Sequence, residues 1–385
     1  ASNGKILKKY MKGMGSVSGS ILGKNFVIST WGESHGPALG VVVDGCPAGI
    51  PITTEDIQKD LDRRKPGQSI YSTPRKEQDK VEILSGVFEG KTTGSPISMV
   101  IFNTDQRSRD YSQIKEVYRP GHADLVYDIK YGFRDYRGGG RSSGRETVAR
   151  VAAGAIAKKI LKHLGIRVLA YTLSIGNIEI DRKRFDIDEI FRNPLAMPDA
   201  EAAEAAGQFL QQIRKEGNSA GGIVECIIEG MPAGVGEPVF EKLDATLAKA
   251  IFSIGAVKGV EFGSGFQAAR MKGSDNNDNY QLDEEGKIKK LSNNSGGIVG
   301  GISEGEPIVF RAAFKPTPSI SIRQKTVSRK GENTEIIVKG RHDPIVVPRA
   351  VVVVEAMAAI TVVDYLFQSI LSRIDLIEKA LKASE

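Results

Sequence analysis

Val41-Val42-Val43-Asp44-Gly45-Cys46-Pro47-Ala48-Gly49-Ile50 has a partner in Cys226-Ile227-Ile228-Glu229-Gly230-Met231-Pro232-Ala233-Gly234-Val235. Each is a β-rich run closed by an acidic-Gly-x-Pro-Ala-Gly turn, so each reads as a strand ending in a sharp reversal. A helical pattern follows both, with Ile57 and Leu61 in the first copy and Leu243, Leu247 and Ile251 in the second. Ser85-Gly86-Val87-Phe88-Glu89-Gly90 through Gly94-Ser95-Pro96-Ile97 then aligns without gaps to Gly296-Gly297-Ile298-Val299-Gly300-Gly301 through Gly305-Glu306-Pro307-Ile308. A third, weaker match pairs the His122 loop and the helical run Arg145 to His163 with the His342 loop and the run Ala350 to Leu366. Three matches in one order indicate an internal duplication. The offset grows from 185 residues (Asp44 to Glu229) to 220 (His122 to His342), which gives the second copy longer loops, and the polar stretch 273–294 is the obvious insertion. The expected fold is α+β. Pseudo-repeats at about 38–165 and 222–368 interleave in one large domain, 21–385, with a cleft at the pseudo-twofold where loops of both copies converge.

Composition bounds the function. The chain has 385 residues, 40% of them hydrophobic, enough for a substantial core. The longest apolar candidate, Ala350 to Val354, is stopped by Glu355, so no membrane span is expected. Two cysteines, Cys46 and Cys226, exclude a disulfide framework and read as packing residues of a reducing compartment. Lys and Arg number 53 against 47 Asp and Glu, a net charge of +6 that suits an anionic small molecule better than a nucleic acid. Arg137-Gly138-Gly139-Gly140-Arg141 could pass for an RNA-contact segment, but aromatics are only 6% of the chain and the basic residues sit in separate turns. The first 20 residues, basic and without an acidic side chain, read as a flexible leader. A cytoplasmic location is expected, with a plastid or other organelle as the alternative that such a leader raises.

Three of the four histidines lie in Gly-rich, charge-flanked motifs: Gly32-Glu33-Ser34-His35-Gly36, Arg119-Pro120-Gly121-His122-Ala123-Asp124 and Gly340-Arg341-His342-Asp343-Pro344. Glycine lets the backbone turn and approach a ligand, and histidine moves protons near neutral pH. His163, beside Leu161 and Leu164, reads as a packing residue. Arg137 to Glu146 puts a glycine-rich turn, Ser142, Ser143 and several arginines ahead of a helix with Val148, Val151, Ala152, Ala155 and Ile156 on one face. Ser143 and Glu146 have capping-box spacing, and the whole is an anion-binding arrangement. Further cations occur in Arg63-Arg64-Lys65-Pro66-Gly67, at Arg107, Arg109 and Arg119, and in Lys315-Pro316-Thr317-Pro318-Ser319. Several arginine-bearing turns suit a multiply anionic substrate, because guanidinium forks match carboxylate and phosphate oxygens. Gly86 to Thr92 is one residue short of a P-loop and reads as a turn. Gly263 to Ala268 lacks the helix a dinucleotide fingerprint needs. The histidine and cysteine spacings predict no metal site.

Together these motifs, with Leu61-Asp62 ahead of Arg63, resemble the chorismate synthases from about Gly23 to Val363. The resemblance implies a layered β-α-β core, a homotetramer, and a lyase of the shikimate pathway of aromatic amino-acid biosynthesis. Such an enzyme turns 5-enolpyruvylshikimate 3-phosphate into chorismate and phosphate by a redox-neutral 1,4-elimination that requires reduced FMN. By that pattern His35 and His122 are proton donors or electrostatic stabilisers, and Asp343, assisted by Ser34, manages the flavin proton. Arg64, Arg119 and His122 bind substrate anions. FMN contacts Arg141, Ser142, Ser143, Gly255, Ala256, Gly300, Lys315, Pro316, Thr317, Pro318, Ser319 and Arg341. Many members of the family carry a basic residue where Ile70 stands, so an NADPH site lacks one expected cation. A nucleic-acid binder and a flavin enzyme of net redox chemistry are the competing classes; the second would consume a reductant stoichiometrically.

Overall fold

The computed structural model describes residues 19–67, 77–104, 114–338 and 343–382. The first half contains strands β1 (Ile21–Leu22), β2 (Val27–Gly32) and β3 (Ala38–Asp44), helix α1 (Thr54–Arg64), strands β4 (Val81–Ile83) and β5 (Ile97–Phe102), and helices α2 (Asp124–Tyr131) and α3 (Thr147–His163). The second contains β6 (Arg167–Ile175), β7 (Ile178–Glu179), β8 (Gly222–Glu229), α4 (Leu243–Phe252), β9 (Val257–Phe262), β10 (Ile308–Phe314) and α5 (Val347–Ser369). Each half builds one antiparallel sheet, in the orders β1-β2-β3-β5-β4 and β7-β6-β8-β10-β9. From β2 and from β6 onward, four strands recur in one spatial order. The helices fill the space between the sheets, α3 against β3 and α5 against β6 and β8, so the α+β fold is layered β-α-β around one core.

The equivalence extends to single atoms. Gly45 and Gly230 both have positive φ, +76° and +78°, and a Cβ there would strike the carbonyl of Asn25 at 1.8 Å or of Gly165 at 2.5 Å. Only glycine fits either turn. The Thr92 hydroxyl donates to Pro47 O and accepts from Ile50 N, while the Ser303 hydroxyl donates to Pro232 O and accepts from Val235 N. Gly86 to Thr92, the failed P-loop, folds as the hairpin Val87–Phe88 and Lys91–Thr92, matched by Ile298–Val299 and Ile302–Ser303. The bounds 38 and 222 fall at the equivalent strands β3 and β8, and the recurring order adds β2 and β6 ahead of them, β6 and β8 being separated by a segment that carries the helix Ala200–Lys215.

Helix α1 starts at a capping box, Thr53 bonding Asp56 N and Asp56 bonding Thr53 N. It buries Ile57, Leu61 and Arg64. Helix α5 with its continuation, Val347–Ser372, is long and apolar enough to cross a bilayer by composition, yet 94% of its most apolar window is buried inside the protein. Glu355, which interrupts the apolar stretch Ala350 to Val354, is absorbed in the core by Arg63, at 2.6 and 2.8 Å, and by Lys158 at 3.1 Å. Asp364 caps the amides of Lys24, Asn25 and Phe26. His163 is exposed in the last turn of α3 and so is not the packing residue expected.

The helices α3 and α5 meet where Gly154 faces Ala356, and a Cβ on Gly154 would lie 2.3 Å from the Ala356 methyl and 2.5 Å from its Cα. Gly154→Ala is therefore expected to destabilise the protein by about 1–3 kcal/mol through overpacking, in spite of alanine's better helix propensity. Denaturant unfolding measures it; an unchanged or higher midpoint would mean the helices can separate freely.

Candidate active site

Equivalent parts of both halves surround one cavity of about 580 Å³: the C-terminal ends of α1 and α4 and the first turns of α3 and α5. The first half adds Arg119, Gly121 to Ala123, Gly138, Gly139 and Ser142 to Arg145; the second adds Gly255 to Lys258, Phe314, Lys315, Thr317 to Ser319, Asp343 and Arg349. Residues of both halves thus converge on one site. Its wall carries six cationic side chains, Arg64, Arg119, Arg145, Lys258, Lys315 and Arg349, against the carboxylates of Glu77 and Asp343. Two helix N-termini add partial positive charge.

Arg64 is 1% exposed. Its Nε and Nη2 donate to Asp79 at 3.1 and 2.6 Å, and its Nη1 reaches Gly144 O and Thr147. Asp79, with φ of +50°, also bonds Arg145. Burial, with Arg349 and Arg145 close by, pushes the Arg64 guanidinium down to about 10 despite Asp79. Burial would raise the Asp79 carboxyl, but Arg64 and Arg145 hold it below the usual carboxylate range. Arg145 Nη2 is buried at this wall, 3.6 Å from Glu77 Oε2 and without a hydrogen bond. An incoming anion would supply one.

Arg119 and His122 share Asp124. Arg119 Nε lies 2.7 Å from Oδ2 and Nη2 2.8 Å from Oδ1, while His122 Nδ1 lies 2.8 Å from Oδ1. Nδ1 is also 3.0 Å from Arg119 Nη2, which cannot accept, so the Nδ1 hydrogen is assigned to the carboxylate bond. That leaves Nε2 for a ligand. Burial, aided by Arg119 and Arg134, pushes the His122 imidazole below its ordinary value although Asp124 works against it. Lys315 Nζ donates to Gly121 O at 2.7 Å, joining the His122 loop to the second half, and a Cβ on Gly121 would press Pro318 at 3.2 Å.

The expected site residues divide into groups. Arg64, Arg119, His122, Ser142, Ser143, Gly255, Ala256, Lys315, Thr317, Pro318, Ser319 and Asp343 line the cavity, with Pro316 in the same loop. Ser34 and His35 lie just behind Gly138: both are buried, Ser34 Oγ is 3.0 Å from His35 Nδ1, and a Cβ on Gly138 would strike that nitrogen at 2.4 Å. Arg141 is turned away from the cavity, its guanidinium bonded to Thr30 and Gly32 O on β2. Gly300 is outside it too. Leu243 N bonds Gly301 O, which puts that hairpin at the start of α4, about 15 Å from the end of the helix that meets the cavity. Arg341, His342, Ile70, Arg107 and Arg109, with leader residues 1–18, lie outside the described residues. The capping box at Ser143 does not form: its hydroxyl accepts from Arg145 N in a 3₁₀ turn, and Glu146 pairs with Arg150. The Asp/Asn insertion folds as a short helix and a hairpin whose Asp278 bonds Lys290, Ser292 and the amides of Asn294 and Ser295.

Sequence reasoning missed Glu77, Asp79, Lys258 and Arg349, and it named Ala256 without its backbone conformation. Ala256 has φ of +74°, a strain of about 1 kcal/mol or more, and its carbonyl accepts from Lys315 N. Arg349 pairs with Asp343 and donates to Arg64 O at 3.0 Å. Its position six residues after Asp343, at a predicted helix start, was the available signal.

With this geometry in hand, the comparisons identify the lineage. A family model described as chorismate synthase matches residues 26–367. The chain is 62% identical over 363 residues to a chorismate synthase of Lachnoclostridium phytofermentans, covering 94% of this chain and 99% of that one. It is 56% identical over 356 residues to one of Methanosarcina mazei, covering 92% and 97%. A solved structure titled Crystal Structure of Chorismate Synthase superposes with a TM-score of 0.72 at 33% identity, covering 94% of this chain and 98% of that one.

Proposed function

Because the chain belongs to the chorismate synthase family, we propose that it is the lyase that converts 5-enolpyruvylshikimate 3-phosphate into chorismate and phosphate in the cavity lined by both halves. The observation that carries this reading is a site with six cations, two carboxylates and two helix N-termini, suited to a substrate that bears carboxylates and a phosphate. Reduced FMN is part of the proposal: it supplies transient electron density that weakens the allylic C–O bond. An orphaned buried hydroxyl supports its fit, Thr317 Oγ1 in the Lys315–Ser319 loop at the cavity wall. In the elimination the phosphate departs with the C–O electron pair, the C–H pair becomes the new double bond, and one proton is released, so substrate equals product plus phosphate.

The protein's part is charge and proton placement. Arg64, Arg119 and Arg145 hold the anions in a site whose low dielectric strengthens each contact. His122, its Nδ1 hydrogen on Asp124, presents Nε2 to the departing phosphate, and His35 with Ser34 stands on the other side of Gly138. Asp343, paired with Arg349, is the carboxylate assigned in this reading to receive a proton. Assembly into a homotetramer is proposed with it, supported by the unpartnered apolar side chains Ile129 and Phe133 near the His122 loop, 73% and 74% exposed. Light scattering tests that.

Two results are expected at this site. Arg64→Ala should raise the substrate KM at least about tenfold and also lower the unfolding midpoint, because it leaves Asp79 short of one counterion; an unaltered KM would remove Arg64 from the substrate. His122, whose imidazole is neutral in the free site at neutral pH, should take up a proton when an anion of phosphate type arrives, since the new charge opposes the burial that depresses it. Binding of substrate should therefore consume protons above the depressed pKa and weaken as pH rises through the pKa of the complex. Calorimetry in buffers of different ionisation enthalpy reads this directly; no proton uptake in wild type, or the same uptake in His122→Gln, would contradict it.

A further inference from the structure

Asn103, the residue after β5, belongs to none of the motifs, yet every polar atom of its side chain is committed to the edge of the site. Its Oδ1 accepts from Arg145 Nε at 2.8 Å. Its Nδ2 donates to Glu33 O at 3.0 Å and to Gly36 O at 2.7 Å, the two ends of the turn that carries Ser34 and His35. The orientation of the amide is unambiguous, because guanidinium can only donate and the two carbonyls can only accept. The backbone adds a third tie to the same turn, Asn103 N to Pro37 O at 3.0 Å. On the far side, Arg145 is anchored by Asp79 and lines the cavity. In the second half the corresponding strand end, after β10, delivers Phe314 and Lys315 to the cavity, so the fold directs both strand ends at the site.

We propose that Asn103 is a positioning residue that sets the His35 turn at a fixed distance from the anion-binding Arg145. Asparagine alone among the small side chains offers an acceptor on one side and a two-hydrogen donor on the other. Aspartate keeps the acceptor for Arg145 but places a second oxygen against the Glu33 and Gly36 carbonyls, freeing the turn. Serine or alanine releases both. A shift of about 1 Å in a reacting group can cost on the order of 100-fold in rate.

The inference rests on the proposed function for the meaning of His35, and its test has one arm that does not. With the full chain loaded with reduced FMN, Asn103→Asp should lower kcat at least about tenfold while the substrate KM stays within about threefold, because Arg145 retains its partner. In flavin-free protein labelled with 15N histidine, the same variant should shift the ring resonances of His35 and leave those of His122 in place. Asn103→Ala should shift His35 as well and in addition raise KM. Unmoved His35 resonances in both variants would overturn the proposal, as would an Asn103→Asp defect confined to KM. A wild-type protein that makes no chorismate under the same conditions would instead refute the proposed function and leave the resonance result standing by itself.

Discussion

Asp79→Ala is expected to remove about 3–5 kcal/mol of stability, enough to unfold much of the protein near physiological temperature. Asp79 is 2% exposed and is the shared counterion of two nearly buried guanidiniums, Arg64 and Arg145. Deleting it strands two charges in the interior, and an uncompensated buried charge costs far more than the intact pair contributes. Asp79→Asn, which preserves shape and can bond one arginine through its carbonyl, should lose less. Urea unfolding of the two variants against wild type measures both. A loss below about 1 kcal/mol for the alanine variant would mean that water reaches this cluster and that the arginines are not held for an anion.

His122→Ala should lower kcat by about 10²- to 10⁴-fold, the usual worth of a positioned acid or base, with the fold intact because the imidazole sits in a loop beside the cavity. If His122 acted only on binding, the loss would vanish at saturating substrate, so kcat is the quantity to measure. Turnover within threefold of wild type would take His122 out of the chemistry and leave Arg119 as the important member of that loop.

Much of this architecture was legible in the chain. The paired Asp-Gly-Cys-Pro-Ala-Gly and Glu-Gly-Met-Pro-Ala-Gly turns exposed the duplication because turn chemistry is local: only glycine tolerates the Asn25 and Gly165 carbonyls that press on Gly45 and Gly230. The cavity loops were visible for the same reason, since glycine, proline and arginine cluster where backbone meets an anion. What stayed hidden depends on long-range packing. No local signal distinguishes Asp79, reached only when α1 and α3 bring Arg64 and Arg145 around it, from any surface aspartate. Arg141 looked like a ligand-binding arginine within a Gly-Gly-Gly-Arg-Ser-Ser turn, but the turn direction sends its side chain to β2. Nor does the sequence show that Glu355 can be buried within α5, because its partners Arg63 and Lys158 come from two other helices.

The central claim is that one cavity, built by both halves, binds reduced FMN and a phosphorylated enolpyruvyl substrate and eliminates phosphate without net oxidation. The direct measurement is an anaerobic assay of the full chain with photoreduced FMN and 5-enolpyruvylshikimate 3-phosphate, following chorismate, phosphate and the flavin absorbance together. Chorismate and phosphate should appear in equal amounts over many turnovers per flavin, with the flavin fully reduced at the end and no product when it is supplied oxidised. Product formation without reduced flavin, or oxidation of one flavin for each substrate consumed, would contradict the account.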